Sequence, residues 1–449
     1  SQNYRTYYEC RNCRMFFYQE LLERKNKKKP IKVCLIGAGK FGSMFLSQVP
    51  FTPALHVVSI VDLKPKKAKE LCKSIGWSFA QMSQTRFFDN ANEAFEADRI
   101  DVVVEATGDP IAGAYHAQKA ISYNFHVIMA NVEADVLLGA ELSRQAVKND
   151  VVYSMAYGDQ PALTCELVEW ARSNGFNVIS AGKGTKYLPA FHKSTPETVW
   201  DHYGLTPEQA KKAGMNSKMF NSFLDGTKSA IEMAALSNAT GLSSPSAGLK
   251  FPPCGVDNLA NLLKPCRDGG ITSKKGQVEV VSSLDRSGAP VSRDLRWGVY
   301  VVIEAPNKYS ASCFNQYGMN TDNSGKYSAM YKPFHLIGLE LNISIFSAAI
   351  LHKATGTPLN FCSDVVAIAK KDLKTGESLD GEGGHTVWGK LLPAKKAIKI
   401  NGLPIGLAKN IKLKNNVSAD KVVRWQDVEI DENSSIISLR RKMEKAVII

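Results

Sequence analysis

The chain has 449 residues, of which 44% are hydrophobic and 22% charged, with a formal net charge of +13. This length allows two or three domains, and the composition is typical of a globular protein. The lysines are spread through the chain, without an arginine-rich tract and interleaved aromatics, which favours an anionic small molecule over nucleic acid. The sequence has no apolar run of membrane-spanning length and nine scattered cysteines, so we expect a cytoplasmic protein that binds no membrane.

Residues 1–29 are predicted to form a helical arm, with one amphipathic helix, "MFFYQELLER", followed by a basic linker. The arm has no signal-peptide core and no small-residue cleavage site. Cys10 and Cys13 form a single CxxC without a second pair at zinc spacing, which favours incidental thiols over a metal site.

The segment "IKVCLIGAGKFGSMFL" is typical of a dinucleotide-binding turn. Ile31 to Ile36 is a continuous apolar run, as expected for a strand that is buried on both faces. Gly37, Gly39 and Gly42 follow, and they would allow a tight turn, the approach of a pyrophosphate and close helix packing. A second strand ends at Asp62, where a carboxylate can bind the adenosine ribose.

Strands and helices alternate over residues 30–156, which predicts a parallel, doubly wound sheet with its ligand at the carboxyl ends of the strands. The predicted cofactor-binding residues at those ends are Gly37, Gly39, Lys40, Phe41, Gly42, Asp62, Thr107, Gly108, Asn131 and Glu133.

The choice between the two nicotinamide cofactors stays open at this stage. Asp62 favours NAD, because its carboxylate repels a 2′-phosphate. Lys64, Lys66 and Lys67 follow at once, and they either neutralise that phosphate or form a solvated helix start. The residues alone therefore leave NADPH and NADH both open.

Residues 157–355 are predicted to form an α+β catalytic and dimerisation domain, so we expect a homodimer or a larger oligomer. The strands "GQVEVVSSLD" and "RWGVYVVIEA" are predicted to pair as antiparallel neighbours, and "PFHLIGLELNISIFSAAILH" is predicted to be one apolar helix. Residues 360–437 show short strands and glycine turns, which predict a small all-β C-terminal domain.

The stretch "AGKGTKYLPAFHKSTP" gathers cationic donors that could converge on one anion in a kinked loop. Lys183 and Lys186 could polarise a substrate oxygen or bind a phosphate. Asp225 and Lys228 form either a proton shuttle or an exposed ion pair. The candidate catalytic residues are Lys183, Lys186, Asp225 and Lys228, and the candidate substrate-binding residues are Thr185, His192, Ser194, Lys332 and His335.

A divalent metal also stays open, because Glu133, Asp159, Asp225 and Glu232 carry the oxygen ligands that such ions prefer. They form no tight cluster at metal spacing, and we assign no metal ligand from the sequence.

The segments "IGAGKFGSMF", "VEATGDP", "FNSFLDGTKSAIEMA", "DLRWGVYVVIEA" and "KPFHLIGLE", with the lysine-rich stretch, together resemble the 1-deoxy-D-xylulose 5-phosphate reductoisomerase-like family over about residues 30–437. The resemblance implies NADPH-dependent conversion of that phosphorylated sugar to 2-C-methyl-D-erythritol 4-phosphate in isoprenoid synthesis. The C-terminal part, with "VVAIAKKDLKTGESLD", resembles the SAF or β-clip domain of sialic acid synthases and type III antifreeze proteins.

Two other functions remain open. One is a related NAD(P)-dependent oxidoreductase or oxidoisomerase that acts on a branched sugar acid or a homoserine-like hydroxy compound. Homoserine itself is disfavoured, because homoserine dehydrogenases typically carry a lysine in the turn that reads "ANVEAD" here. The other is a dinucleotide-sensing regulator whose β-clip domain binds a partner.

Overall fold

The computed structural model describes residues 17–431 and 433–448, so Cys10 and Cys13 lie outside the described residues. The first helix, α1 (Tyr18–Asn26), lies in the predicted N-terminal arm. Leu21 of α1 is buried in the same apolar cluster as strands of the nucleotide-binding sheet, so the helix packs against that sheet.

The first sheet of the described chain is parallel and six-stranded, which confirms the predicted doubly wound Rossmann arrangement. Its order is β3-β2-β1-β4-β5-β6. The strands are β1 (Ile31–Ile36), β2 (Leu55–Val61), β3 (Arg86–Phe88), β4 (Val102–Glu105), β5 (His126–Met129) and β6 (Tyr153–Met155). The accompanying helices are α2 (Lys40–Gln48), α3 (Pro65–Ser74), α4 (Phe79–Ser83), α5 (Ala91–Ala97), α6 (Pro110–Ser122) and α7 (Val132–Lys148).

Helices α6 and α7 begin at side-chain caps at the carboxyl edge of the sheet. Asp109 Oδ1 accepts hydrogen bonds from the backbone N–H groups of Ile111 and Ala112, at 3.1 and 2.9 Å. Asn131 Oδ1 accepts from Ala134 N at 3.0 Å at the start of α7. These caps satisfy N–H groups that a helix start leaves unpaired, and they fix where α6 and α7 begin.

The second sheet is mixed, with the order β10-β9-β7-β8. Its strands are β7 (Asn177–Thr185), β8 (Gln277–Ser282), β9 (Val299–Glu304) and β10 (Tyr327–Lys332). The predicted antiparallel pairing of β8 with β9 is wrong, because β7 lies between them, parallel to β8 and antiparallel to β9. The helices of this region are α8 (Gln160–Ser173), α9 (Val199–Tyr203), α10 (Pro207–Lys212), α11 (Ser217–Leu224), α12 (Thr227–Thr240), α13 (Leu259–Leu262), α14 (Lys308–Gln316) and α15 (Asn342–Phe346).

The predicted long apolar helix over residues 333–352 is also wrong in its extent. Only α15 is α-helical, and a π-helical turn, Ser347–Leu351, continues it. Gly338, at φ +72°, packs so closely against α2 that a Cβ atom would lie 2.7 Å from Phe41 O, which places a turn where the helix was expected. The segment still packs on the nucleotide-binding domain, since Ile345 and Phe346 share its core cluster.

The C-terminal part contains two antiparallel strand pairs and helices, so a small all-β domain is not confirmed. The strands are β11 (Ser363–Ala369), β12 (Ser378–Asp380), β13 (Val387–Pro393) and β14 (Lys409–Lys412), and the helices are α16 (Ala394–Lys399) and α17 (Ser435–Ile448). Strand β11 pairs with β13, and β12 pairs with β14. No helix among the described residues is both long and apolar enough to cross a membrane.

Helix α17 is joined to the nucleotide-binding domain by a fully buried arginine. Arg440 forms ion pairs with Asp364 and, at 3.0 Å, with Glu444. Its Nη1 also donates to Leu137 O on α7 at 3.0 Å. A buried guanidinium needs such partners, so these contacts fix the C-terminal part against α7.

Asp135 on α7 is a buried carboxyl group, 1% exposed, with one identified partner among the described residues. Tyr153 OH donates to its Oδ1 at 2.9 Å, while Oδ2 has no hydrogen-bond partner there. Burial raises the pKa of Asp135 to about 7, and the tyrosine hydrogen bond lowers it only in part. The folded chain therefore keeps this proton after the unfolded chain has lost it.

We expect Asp135→Asn, which imitates the protonated form, to become more stable relative to the parent chain as pH rises from about 4 to 7. Over that range only the unfolded parent has released its proton, so the parent loses up to about 1.4 kcal/mol of stability per pH unit. Thermal unfolding followed by circular dichroism from pH 4 to 8 measures the difference. Glu208→Gln, on the exposed face of α10, is the control. A difference in stability between Asp135→Asn and the parent that does not change with pH would contradict the raised pKa of Asp135.

Candidate functional site

The glycine-rich turn between β1 and α2 has the geometry that a dinucleotide needs. Gly37 has φ +97°, and a Cβ atom there would lie 2.6 Å from Ala106 O. A Cβ atom on Gly42 would lie 2.4 Å from Gly37 O, so these two glycines serve the fold. At Gly39, with φ −75°, a Cβ atom would meet no described atom within 4 Å. That open space, at the uncapped N-terminus of α2, fits a pyrophosphate.

Asp62 stabilises this turn through both carboxylate oxygens. Its Oδ2 accepts from Ala38 N at 2.9 Å, and its Oδ1 accepts from Lys64 N at 2.8 Å. The carboxylate therefore lies beside the turn, where it was expected. Lys66 and Lys67 follow as exposed residues in the first turn of α3.

The remaining predicted cofactor residues lie at the same edge of the sheet. Lys40 is exposed at the start of α2, and Phe41 packs against the apolar core. Thr107 and Gly108 are exposed after β4, and Thr107 Oγ1 donates to Glu105 at 2.6 Å. Asn131 Nδ2 donates to a backbone carbonyl of the turn after β4 at 2.8 Å, which holds the turns after β4 and β5 together.

A cluster of lysines and carboxylates lies beside this edge, and we call it the lysine–carboxylate cluster. Lys228 Nζ contacts Glu133 Oε1 at 2.6 Å, which joins α12 to the start of α7. One turn along α12, the buried Glu232 forms an ion pair with Lys183 of β7. Asp159 caps α8 at the adjoining turn, where its Oδ1 accepts from Gln160 N at 2.8 Å. Side chains from four elements, α7, α8, α12 and β7, thus converge at the carboxyl ends of β5 and β6.

The charges of the cluster shift each other's titration. Burial lowers the pKa of Lys228, but nearby carboxylates, Glu133 first, together raise it well above its ordinary value. Burial and the Glu232 carboxylate raise the pKa of Asp159. Lys228 therefore carries a proton at neutral pH, and its side chain remains 17% exposed, so a small molecule can reach it.

The predicted pairing of Asp225 with Lys228 is wrong. Asp225 forms its ion pair with Lys370 at 2.7 Å, and both side chains are at most 2% exposed. Lys370 Nζ also donates to Ser194 O and Gly384 O, each at 2.8 Å. These three contacts use all the donors of the ammonium group, so Asp225 and Lys370 form a buried clamp.

His192 and Ser194 do not form the predicted phosphate cradle, because their polar atoms are already bonded. His192 Nδ1 lies 2.7 Å from Asp225 O, and Nε2 lies 2.9 Å from Tyr187 OH. Burial lowers the pKa of His192, which favours the neutral ring. Ser194 Oγ donates to Asn221 at 2.6 Å. Neither residue offers a positive charge to an anion.

Lys186 lies apart from Lys183, although the two are close in sequence. Its Nζ donates to His202 O and lies 5.2 Å from the centre of the Tyr203 ring. Burial, with the charge of Arg296, lowers the pKa of Lys186.

The other predicted substrate residues lie near the cluster without joining it. Thr185 ends β7, and its carbonyl accepts from Ser283 N at 2.8 Å. Lys332 Nζ forms an ion pair with Glu340 at 3.0 Å. His335 Nδ1 lies 2.7 Å from Trp297 O.

Three buried or half-buried side chains of this region were not predicted as catalytic or binding residues from the sequence. Glu232 was considered only as a metal ligand, and Lys370 and Glu382 were not considered. Lys370 could have been noticed in the sequence because it directly follows the apolar run "VVAIA", and Glu382 because it lies within the glycine-rich "DGEGG". Within the described residues, no group of three or more metal-ligating side chains is arranged to hold a metal ion, and we assign no metal ligand.

Two family models match the chain. Residues 31–156 match "Oxidoreductase family, NAD-binding Rossmann fold", the Gfo/Idh/MocA model. Residues 158–341 match "Oxidoreductase DRL, catalytic domain". Both matched models describe domains of oxidoreductases, and the first is an NAD-binding Rossmann fold. None of the curated proteins matches this chain.

Solved structures of other oxidoreductases are similar over part of the chain. The myo-inositol dehydrogenase of Corynebacterium glutamicum is 12% identical with a TM-score of 0.29, over 38% of this chain and 48% of that one. The WlbA dehydrogenase of Bordetella pertussis is 16% identical with a TM-score of 0.27, over 35% and 47%. The scyllo-inositol dehydrogenase of Lactobacillus casei is 11% identical with a TM-score of 0.27, over 40% and 51%. The chain thus spans about half the length of these proteins, and we draw no conclusion on the substrate from them.

The family matches correct the resemblance drawn from the sequence. The matched Rossmann model points to the Gfo/Idh/MocA oxidoreductases, so assignment to the 1-deoxy-D-xylulose 5-phosphate reductoisomerase-like family is wrong. The predicted reductoisomerase activity and the predicted role in isoprenoid synthesis are therefore wrong as well. The glycine-rich turn and the strand–helix alternation recur in many dinucleotide-binding proteins, so they identify the cofactor class better than the reaction.

We expect Gly39→Val to abolish NAD(P)H binding while leaving the unfolding temperature close to that of the parent chain. The side chain would point into the open space at the turn, which only the cofactor would occupy. Calorimetric titration with NADPH and NADH measures the loss. Gly42→Ala is the matched control for a structural glycine and should lower the unfolding temperature, because its Cβ would lie 2.4 Å from Gly37 O. Full nucleotide affinity in Gly39→Val would exclude this turn as the binding site.

Proposed function

We propose that this chain transfers a hydride between a nicotinamide cofactor and the reacting carbon of a small polyhydroxylated substrate, as a dehydrogenase or ketoreductase. The observation that carries the proposal is the contact between Lys228 and Glu133 at the carboxyl edge of the Rossmann sheet. A protonated, partly exposed lysine at this position is suited to exchange a proton with the oxygen of a carbonyl or alcohol.

We assign different residues to cofactor binding and to proton transfer. The turn around Gly39 and the start of α2 would hold the pyrophosphate, and Thr107 and Asn131 would border the nicotinamide. When bound, the cofactor supplies or accepts the hydride. Lys228 Nζ holds the proton that the substrate oxygen gains in reduction, and Lys183 adds a second positive charge that stabilises the oxygen as negative charge develops.

The charge of the cluster supports a substrate rich in hydroxyl groups. Two lysines, Lys183 and Lys228, lie among four carboxyl groups, those of Glu133, Asp159, Glu232 and Glu382. Carboxylates accept hydrogen bonds from hydroxyls, whereas they repel a phosphate. We therefore place a sugar, a polyol or a branched sugar acid here, and we propose that any phosphate of the substrate binds outside the cluster.

The test is a turnover screen with NADPH and NADH against polyols, branched sugar acids and homoserine, followed by nicotinamide absorbance. With a substrate in hand, we expect Lys228→Met to lower kcat by about 10²–10³, the scale of losing one preorganised donor. Substrate affinity should change less, because the lost interaction acts mainly in the transition state.

Two other lysines provide comparison for this variant. Lys193→Met is the control, since Lys193 forms an exposed ion pair with Asp420 at 3.1 Å. Lys186→Met should lower kcat less than Lys228→Met, because Lys186 contacts His202 O instead of the cluster. Equal kcat values for Lys228→Met and Lys193→Met would refute the assigned role. Tight nucleotide binding without turnover on any substrate would instead favour a dinucleotide-sensing regulator.

We also propose that the chain prefers NADPH, because Lys66 and Lys67 are exposed beside the carboxylate of Asp62. Replacing Lys64, Lys66 and Lys67 together with alanine should weaken NADPH binding at least about tenfold relative to NADH, since a hydrogen bond to a charged group contributes about 1.5–3 kcal/mol. Calorimetric titration with both cofactors measures the ratio. Replacing Lys69 and Lys73, farther along α3, is the control, and an unchanged ratio in the triple variant would leave the three lysines as solvated helix residues.

A further inference from the structure

A buried carboxyl group, that of Glu105, ends β4 at the carboxyl edge of the Rossmann sheet. The rest of the strand, Val102 to Val104, is apolar and equally buried. The Oε2 atom of Glu105 is buried and has no hydrogen-bond partner among the described residues. A buried carboxyl group with an unpaired oxygen destabilises the fold, whereas an apolar side chain would not. This cost indicates that Glu105 has a role other than stability.

Two donors hold the other oxygen of Glu105. Thr107 Oγ1 donates to Oε1 at 2.6 Å, and His116 Nδ1 of α6 lies 3.1 Å from the same atom. A carboxylate oxygen only accepts, so the ring nitrogen carries the proton of this contact. Thr107 Oγ1 also accepts longer hydrogen bonds, from Asp109 N at 3.3 Å and from Asn131 Nδ2 at 3.4 Å. The Thr107 hydroxyl therefore joins Glu105 to the turn after β4, residues 106–109.

Helix α6 leaves this carboxyl group little room to move. A Cβ atom on Gly113 would lie 3.0 Å from Glu105 Oε2 and 2.5 Å from Asn131 Nδ2, so the two side chains fill the space beside the helix. A side chain packed in this way keeps one position. Glu105 is thus a fixed point to which the turn after β4 is attached.

The turn after β4 packs directly against the glycine-rich turn. A Cβ atom on Gly37 would lie 2.6 Å from Ala106 O and 3.0 Å from Thr107 N. Asp62 lies at the end of β2, on the adenosine side of the glycine-rich turn, and β4 lies on the other side of β1. A dinucleotide bound across this edge therefore directs its nicotinamide half towards the turn after β4.

We propose that Glu105 is a positioning residue for the cofactor, which fixes Thr107 so that the turn after β4 is already in place to receive the nicotinamide half of NAD(P)H. This inference rests on the proposed function, in which Thr107 borders the nicotinamide. Glu105 acts through Thr107 and does not touch the cofactor, and His116 holds the carboxyl group from α6. A turn that is fixed before binding loses less conformational freedom when the cofactor binds.

The closing experiment measures cofactor binding without turnover. Each cofactor is titrated by calorimetry beside the fragment that lacks nicotinamide, NADPH beside 2′-phospho-ADP-ribose and NADH beside ADP-ribose. In the full-length chain, Thr107→Val should weaken binding of the whole cofactor by about fivefold or more, the effect of leaving a buried acceptor unpaired. Binding of the fragments should change little. Thr107→Ser keeps the hydroxyl and should restore most of the affinity.

Two further variants test whether Glu105 acts through Thr107. Glu105→Met should also weaken the whole cofactor more than the fragment, and the double variant with Thr107→Val should bind no more weakly than the weaker single variant, because both changes remove one contact. Ser59→Ala is the matched control. Ser59 Oγ donates to Asp98 at 2.6 Å, before the start of β4, so the same kind of contact is lost away from the cofactor edge.

Thermal unfolding followed by circular dichroism identifies variants that have lost the fold, and if Glu105→Met is unfolded, the two Thr107 variants decide. Unchanged cofactor affinity in Thr107→Val, or an equal loss for cofactor and fragment, would overturn the positioning role and leave the proposed function intact. Additive losses in the double variant would overturn the action of Glu105 through Thr107. A parent that binds NAD(P)H but turns over no substrate would overturn hydride transfer and leave the positioning role intact.

Discussion

The contact between Lys228 and Glu133 is the interaction on which the arrangement of the site depends. Lys228 lies in the first turn of α12, where the helix dipole disfavours a positive charge, and burial disfavours it further. Glu133 lies in the first turn of α7, where the dipole favours a carboxylate. Removing either residue would leave the charge of the other incompletely paired in a poorly hydrated site, which would destabilise the folded chain. The pair therefore holds α12 over the carboxyl edge of the Rossmann sheet.

That position of α12 also explains why three separate parts of the chain meet at one site. The helix is buried along nearly its whole length, and its small residues let α7, α8 and the strands β11 and β13 approach it. Each polar side chain on such a helix needs a partner. Lys228 finds one in the nucleotide-binding domain, Glu232 finds one in β7, and Asp225, just before the helix, finds one in the C-terminal part. The ion pairs that join these three parts of the chain therefore also bring the side chains of the site together.

The sequence predicted those features that depend on local patterns. The apolar run Ile31–Ile36 and the glycines after it specify a buried strand and a phosphate-binding turn through residues that are neighbours in the chain. The partner of Lys228 could not be found in this way, because Glu133 lies 95 residues away. Proximity in sequence suggested Asp225 instead, whose partner Lys370 lies 145 residues away. Local patterns determine elements, whereas buried ion pairs depend on how the elements pack.

The lysine-rich stretch shows that a local pattern does not determine which side chains meet, even for residues that are close in the chain. In a loop, Lys183 and Lys186 could converge on one anion, but residues 181–185 belong to β7, where successive side chains point to opposite faces. Gly182 and Gly184 alternate with Lys183 and Thr185, and a Cβ atom on either glycine would lie 1.8 Å from a neighbouring carbonyl oxygen. Strand geometry therefore directs Lys183 alone towards α12, and the second cation of the site has to come from that helix. A site built from such paired charges is suited to bind its substrate by directed hydrogen bonds, since little positive charge remains free to attract an anion.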